Sequence, residues 1–353
     1  MWLFKSSIGR KFVMAVTGIA LVLFVTFHVL MNSVALIWPA AYNQVCEFLG
    51  ANWYALIASM GLALLFIIHI VYAVWLTLQN RAARGNDRYA VTARQPQVEW
   101  SSKNMLVLGI VVVAFLVVHL IQYWAKMQLQ ELREAELSVL PQLEGIPVGP
   151  AQGTLFIQLA FQQIWTPIVY IIGFVALWFH MTHGFWSMFH TIGWDNNLWL
   201  GRLKCIANWW PSIVILLFVA QAVVFTVQAN NNYYTENEKL QEQYAEYWNE
   251  ESQKACEGFL APIQSMYAET TAKMEGVQDM NQQMQLQNEF QMKQNEYVLA
   301  NGKAFVEKCD IIENAYKKEC SKVAPSEDMQ QMMRLKQQVQ TAVNMPTPNQ
   351  PQN

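Results

Sequence analysis

Residues 12–37 read FVMAVTGIALVLFVTFHVLMNSVALI, 26 positions without one Asp, Glu, Lys or Arg. Crossing a hydrocarbon core of about 30 Å takes roughly 20 apolar residues in a helix, so this stretch predicts a membrane span. Its length, the lack of a small-residue cleavage pattern after it and the presence of His28 argue against a cleaved secretory signal. Four more stretches share its character: 54–78, 105–124, 165–189 and 209–227. None contains a charged residue, whereas buried helices of water-soluble proteins are seldom so long and so clean. Residues 1–228 are therefore expected to form a five-helix transmembrane bundle in an all-α chain.

Four of these spans carry one histidine each a little past their middle: His28, His69, His119 and His180. An ionisable residue at membrane depth is rare and usually functional. With a rise of about 1.5 Å per residue, His28 and His119 fall about 5 Å to one side of the midplane, and His69 and His180 about 3–4 Å to the other. Two rings per level, with levels on the order of 10 Å apart, predict two bis-histidine sites. Paired neutral imidazoles are axial ligands of b-type haem, and a helix-bundle core is where such cofactors are held. Two haem b groups are thus expected, one on His28 and His119, the other on His69 and His180. Each ring is expected to donate Nδ1–H to the carbonyl four residues back (Phe24, Leu65, Phe115, Ala176), which leaves Nε2 for iron.

The plainer alternative is four structural histidines, each hydrogen-bonded to a neighbour. A proton-coupled transporter normally places carboxylates beside such histidines, and the spans hold none. Nor are the spans broken by proline: Pro167 and Pro211 are expected at helix starts, where proline is tolerated. Gly18, Gly61, Gly109 and Gly173 precede the histidines, but only Gly173 shares a helical face with its own. His183 lies one turn after His180 and faces about 60° away, so it is expected to support that ligand or meet a haem propionate. His190 is expected at the membrane interface.

Lys5, Arg10 and Lys11, then Arg81, Arg84, Arg88, Arg94 and Lys103, then Arg202 and Lys204 flank one set of span ends. Residues 38–53 have no Lys or Arg, and residues 125–164 have only Lys126 and Arg133. Cationic loops stay cytoplasmic, which predicts a cytoplasmic N-terminus, an inner His69–His180 site and an outer His28–His119 site. Inner propionates would find Arg10, Lys11, Arg81, Lys103, Arg202 or Lys204. Outer ones would find Asn32, Gln122, Tyr123 or Trp124.

Residues 229–353 are polar, with 11 Lys and Arg against 18 Asp and Glu, while residues 1–228 have 12 against 8. Good helix formers fill 235–254 and 265–322, so residues 229–323 are expected as a mostly helical C-terminal extramembrane extension on the outer side. Tyr244, Tyr247, Met266, Phe290, Tyr297, Phe305 and Ile312 would line its seam. Pro, Gln and Asn dominate from Ala324, and residues 324–353 are expected to be disordered. Cys46, Cys256, Cys309 and Cys320 fall outside and Cys205 inside by this topology, and an oxidising compartment would let Cys256 pair with Cys309 or Cys320. No dinucleotide fingerprint and no Cys-x-x-Cys motif occurs, and nothing marks a nucleic-acid partner.

Ser7-Ile8-Gly9-Arg10-Lys11-Phe12-Val13-Met14-Ala15-Val16-Thr17-Gly18, followed by Phe27-His28-Val29, resembles the cytochrome b membrane anchor of bacterial succinate dehydrogenase and fumarate reductase, in its single-chain, five-helix, dihaem form. Trp178-Phe179-His180-Met181-Thr182-His183-Gly184-Phe185-Trp186-Ser187 resembles that family's fourth-helix motif. The resemblance covers roughly residues 5–228. It implies that His69 and His180 ligate the inner haem, that His28 and His119 ligate the outer one, and that His180 rather than His183 is the ligand. It also implies electron transfer between a membrane quinone, menaquinone in the family, and cytoplasmic flavoprotein and iron–sulfur subunits. Succinate or fumarate would react on those subunits, and this chain would be the quinone-reactive part of respiratory complex II in the bacterial inner membrane. A quinone site is expected near the outer haem, with Glu47 as its proton acceptor, and a docking surface on 80–103 and 193–204. The extension departs from the family; it could cover the quinone site, contact another complex or support a dimer. The alternatives are a dihaem cytochrome b of a hydrogenase or formate dehydrogenase, and a haem-free transporter or scaffold.

Overall fold

A computed structural model describes residues 6–84, 99–194 and 196–345 of the chain. Lys5, Arg88 and Arg94, with most of the 80–103 loop, lie outside the described residues. The helices of the first part are α1 Ser7–Ile37, α2 Pro39–Ala51, α3 Trp53–Arg84, α4 Trp100–His119, α5 Gln128–Leu132, α6 Gly153–Phe161, α7 Trp165–Thr191, α8 Trp199–Asn230 and α9 Tyr233–Glu236. Five of them are long and apolar enough to cross a membrane: α1, α3, α4 with its continuation to Trp124, α7 and α8. They form an all-α membrane bundle. Their outward surfaces are apolar, as at Leu23, Ile57 and Leu216, each more than half exposed. Side chains that would be expelled from water are at home against lipid.

The helices outrun the apolar stretches that announce them. Ser6 caps α1, its hydroxyl accepting from the Gly9 amide at 2.9 Å. The fifth span, expected from residue 209, starts at Trp199, so Pro211 is inside α8 and buried rather than at a helix start. Pro167 does lie in the first turn of α7. Arg202 and Lys204 hide the start of α8 from a hydropathy reading, although the backbone there is already helical.

Cross-helix contacts fix the directions. Phe24 meets Phe66 and Thr17 meets His69, so α1 and α3 are antiparallel. Phe115 meets Phe174 while the next helical level pairs Gly109 with His180, so α4 and α7 are antiparallel as well. Polar side chains tie the helices at intervals. Gln221 on α8 donates to the Val29 carbonyl at 3.0 Å and to Ser33 Oγ at 2.9 Å on α1. Gln158 on α6 donates to the Ala229 carbonyl at 2.6 Å. Such bonds matter where lipid offers no competing partner. Gly173 allows a close approach: a Cβ there would collide with the Phe115 ring on α4.

Two compact units divide the chain: Met1–Glu134 with Pro150–Tyr234, and Ala135–Gly149 with Thr235–Asn353. This differs from a single cut at residue 228, because the segment 135–149 packs with the C-terminal unit. That unit holds a short hairpin, β1 Gln142–Leu143 against β2 Ile146–Pro147. Its turn residues Glu144 and Gly145 have φ of 50° and 83°, the left-handed pair that a two-residue hairpin turn requires. Three helices follow: α10 Glu238–Met274, α11 Met280–Glu319 and α12 Glu327–Asn344. Phe259 stacks on Phe305 at 4.2 Å and Tyr267 meets Phe290 at 5.7 Å, so α10 and α11 form an antiparallel pair. Trp248, fully buried, donates Nε1–H to Glu319 Oε2 at 2.7 Å. Of the expected seam residues, Tyr244, Phe305 and Ile312 are buried.

The disorder expected from Ala324 is corrected by α12, which buries Met329, Met332 and Val339. Ser326 caps it, accepting from the Met329 amide at 3.2 Å, and Lys336 is paired with Asp310 and Glu313 of α11. Residues 346–353 lie outside the described residues. All five cysteines are free thiols, so neither pairing of Cys256 is present.

Candidate functional site

Four side chains come together in two pairs inside the bundle. His28 on α1 and His119 on α4 have ring centres 5.7 Å apart with planes at 89°. His69 on α3 and His180 on α7 have ring centres 6.3 Å apart with planes at 66°. The helices that pack directly are α1 with α3, α7 and α8, and α7 with α4 and α8. Each histidine pair therefore bridges a diagonal of the bundle rather than two touching helices, which puts the space between the rings on the bundle axis.

The levels of the two pairs can be read along two helices. On α1, Thr17 and Gly18 face His69, and His28 comes ten residues later. On α4, Gly109 faces His180 ten residues before His119. Ten residues of helix span about 15 Å, wider than the separation expected from span midpoints. The helices extend past their apolar stretches, and a midplane drawn from hydropathy alone is misplaced.

Fit to a haem is tested by three features. A ligating imidazole nitrogen lies about 2 Å from its metal, so two rings on opposite sides of one ion have centres on the order of 6 Å apart; both pairs match that spacing. Glycine stands beside both rings of one pair: a Cβ at Gly18 would lie 3.9 Å from His69 Cε1, and one at Gly109 would lie 3.8 Å from His180 Cε1. A flat macrocycle needs that clearance. Nε of Arg10 is buried with no hydrogen-bond partner and could donate to a haem propionate; Nδ1 of His180, which is not the ligating nitrogen, also has none. Buried polar atoms are otherwise nearly always satisfied. Among the described residues no group of three or more His, Cys, Asp or Glu could hold a bare metal ion. Haem needs only two protein ligands, because the porphyrin supplies the rest.

Imidazole support differs from the expected pattern. No ring nitrogen bonds the carbonyl four residues back; those carbonyls serve the helix, and rings reaching across the bundle meet side chains of neighbouring helices. His69 Nδ1 lies 3.1 Å from Thr17 Oγ1. His119 Nδ1 lies 3.2 Å from the Tyr170 hydroxyl on α7. Aromatic walls close around the His28–His119 pair: Phe24 on His28, Phe115 and Tyr123 on His119, and Phe218 against His28. Immediately after His119 the helix widens into a π turn, Leu120–Trp124, a feature that marks functional segments more often than chance.

Charged groups sort by position. Of the expected inner cations, Lys11, Arg81, Lys103, Arg202 and Lys204 are exposed. Arg10 turns inward, its guanidinium 5.2 Å from the Trp75 ring centre, and it lies seven residues before Thr17 on nearly the same face. His183 is engaged with Glu99, Nδ1 to Oε2 3.2 Å, and Trp186 Nε1 donates to the same oxygen at 3.3 Å. Lys204 sits over Trp186 at 4.7 Å. His190 is exposed at the end of α7. At the other end, Asn32 donates to the His28 carbonyl at 2.8 Å and accepts from Tyr42 at 3.2 Å. Gln122 donates to Thr166 at 3.1 Å, and Trp124 donates to Gln128 at 2.9 Å.

Glu47 is exposed on α2. Its neighbour Glu131, on α5, rests its carboxylate against Gly50, where a Cβ would collide with it. Burial, with the Glu47 charge second, holds the Glu131 carboxyl above its ordinary range. Thr17, Tyr170, Glu99 and Glu131 are not legible as site residues in the sequence, and Gly18 and Gly109 face His69 and His180 rather than the histidines of their own helices. Gly18 and Gly109 serve rings on other helices, so spacing within one helix cannot reveal them. No family model, characterised protein or solved structure matches the chain.

Proposed function

We propose that this chain is the membrane-anchor cytochrome b subunit of a succinate dehydrogenase or fumarate reductase, passing electrons between a membrane quinone and flavin and iron–sulfur subunits. The observation that carries this reading is the pair of diagonal bis-histidine sites, about 15 Å apart along the bundle. The motifs around Arg10, His28 and His180 add the choice of family. A bound haem b would supply a reversible one-electron iron couple at each site.

The residues divide the remaining work. His69 and His180 would hold one haem and His28 and His119 the other. Arg10 offers an inward-facing cation for a propionate of the His69–His180 haem. Phe24, Phe115 and Phe218 keep water from the His28–His119 pair. Glu131 and Glu47 form a carboxylate pair able to take a proton from a quinol such as menaquinol. The Lys/Arg-rich ends of the spans support a cytoplasmic N-terminus in a bacterial inner membrane, with partner subunits on that side and the C-terminal extension on the other.

Purified protein is expected to carry two haems per chain with the spectrum of low-spin reduced b haem. His28→Ala or His119→Ala should remove one component, and His69→Ala or His180→Ala the other. A flavoprotein active on succinate or fumarate should co-purify. A chain without haem sinks the reading; a dihaem chain with a hydrogenase or formate dehydrogenase partner replaces the family.

A further inference from the structure

Thr17 is buried, 4% exposed, in the first half of the apolar helix α1. Its hydroxyl has one proton, and that proton is committed to its own helix, with Oγ1 2.9 Å from the Val13 carbonyl and 3.1 Å from that of Met14. Such back-bonding is the ordinary habit of Thr in a helix. The oxygen's lone pairs are then free, and they face His69 Nδ1 at 3.1 Å. Two acceptors cannot share a bond without a proton between them, so the proton belongs to His69 Nδ1. The ring is left with a bare Nε2. Two of the other rings differ: Tyr170, beside His119, can donate or accept, and His180 Nδ1 has no partner.

We infer that Thr17 is a positioning residue: it locks His69 in the Nδ1–H tautomer and raises the basicity of Nε2 as an axial ligand. This rests on the dihaem reading above. A hydrogen-bonded Nδ1–H makes an imidazole a stronger donor, which favours the oxidised iron. Thr17 thereby lowers the potential of the His69–His180 haem and leaves the other haem untouched, giving the two sites different potentials. Gly18, next in the chain, leaves the His69 ring its clearance.

The test compares Thr17→Val, Thr17→Ser and the parent by haem content, redox titration and low-spin electron paramagnetic resonance. Thr17→Val should keep two haems while one midpoint potential rises and one resonance signal moves; Thr17→Ser should restore both. Loss of a single haem in Thr17→Val, regained in Thr17→Ser, supports the same role. Two haems with unchanged potentials and signals in Thr17→Val overturn the inference and leave the dihaem reading standing. Equal defects in Val and Ser variants also overturn it, since packing rather than the hydroxyl would then be responsible. Parent protein devoid of haem defeats the dihaem reading itself.

Discussion

Two carboxylates sit close together where α2 meets α5, and only one of them is sheltered. Glu131 is held above its ordinary range by burial and by Glu47. A carboxyl whose folded-state value is raised contributes stability below its unfolded value, about pH 4, and loses it as pH climbs through the raised value. Glu131→Gln should therefore melt close to the parent in acid and above it at neutral pH. Glu47→Gln should move the neutral melting temperature the same way by less. Thermal melts in detergent across that range check the order, and a parent that outlasts Glu131→Gln at neutral pH refutes it. Not every residue of the site could be read in advance. A histidine in an uncharged apolar run has few ordinary uses, so the four rings announce themselves. A threonine there is commonplace, and Thr17 gains meaning only from a partner 52 residues away.

Helices were easier to see than their ends. Hydropathy finds the five spans, but the polar first turns of α4 and α8 fall outside any apolar window, and the π turn after His119 has no signature in composition. The same averaging hid α12: Pro, Gln and Asn across residues 324–353 mask a Ser cap, an acidic first turn with Glu327 and Asp328, and the spaced apolar side chains Met329, Met332 and Val339. In the C-terminal unit the largest fully buried side chain is Trp248, which nothing in the local sequence pattern singles out. Trp248→Ala should cost about 3–5 kcal/mol in the denaturant stability of that unit. Trp248→Phe, which keeps much of the ring but strips Glu319 of its 2.7 Å donor, should cost about 1–3 kcal/mol. Inside the bundle, Gly173→Ala must push Phe115 aside and should lower stability by about 1–3 kcal/mol; unchanged melting would mean the helices part without cost.

The whole chain can be oriented with one of its thiols. Cys205 is exposed. Burial pushes Cys46 and Cys309 up to about 12 and raises Cys256 and Cys320 as well, and a thiol held neutral is a poor nucleophile. A membrane-impermeant maleimide should therefore react with folded protein at Cys205 alone. Under the proposed topology it should label inverted vesicles and spare intact cells, with Cys205→Ser abolishing the signal; labelling of intact cells would turn the molecule over. The diagonal pairing also sets a timetable. His28 gains its partner once residue 119 has been made, whereas His69 must wait for residue 180. A nascent chain that has reached Trp124 thus holds both histidines of one pair, but α1 and α4 meet through α7, so neither pair closes until α7 has been made.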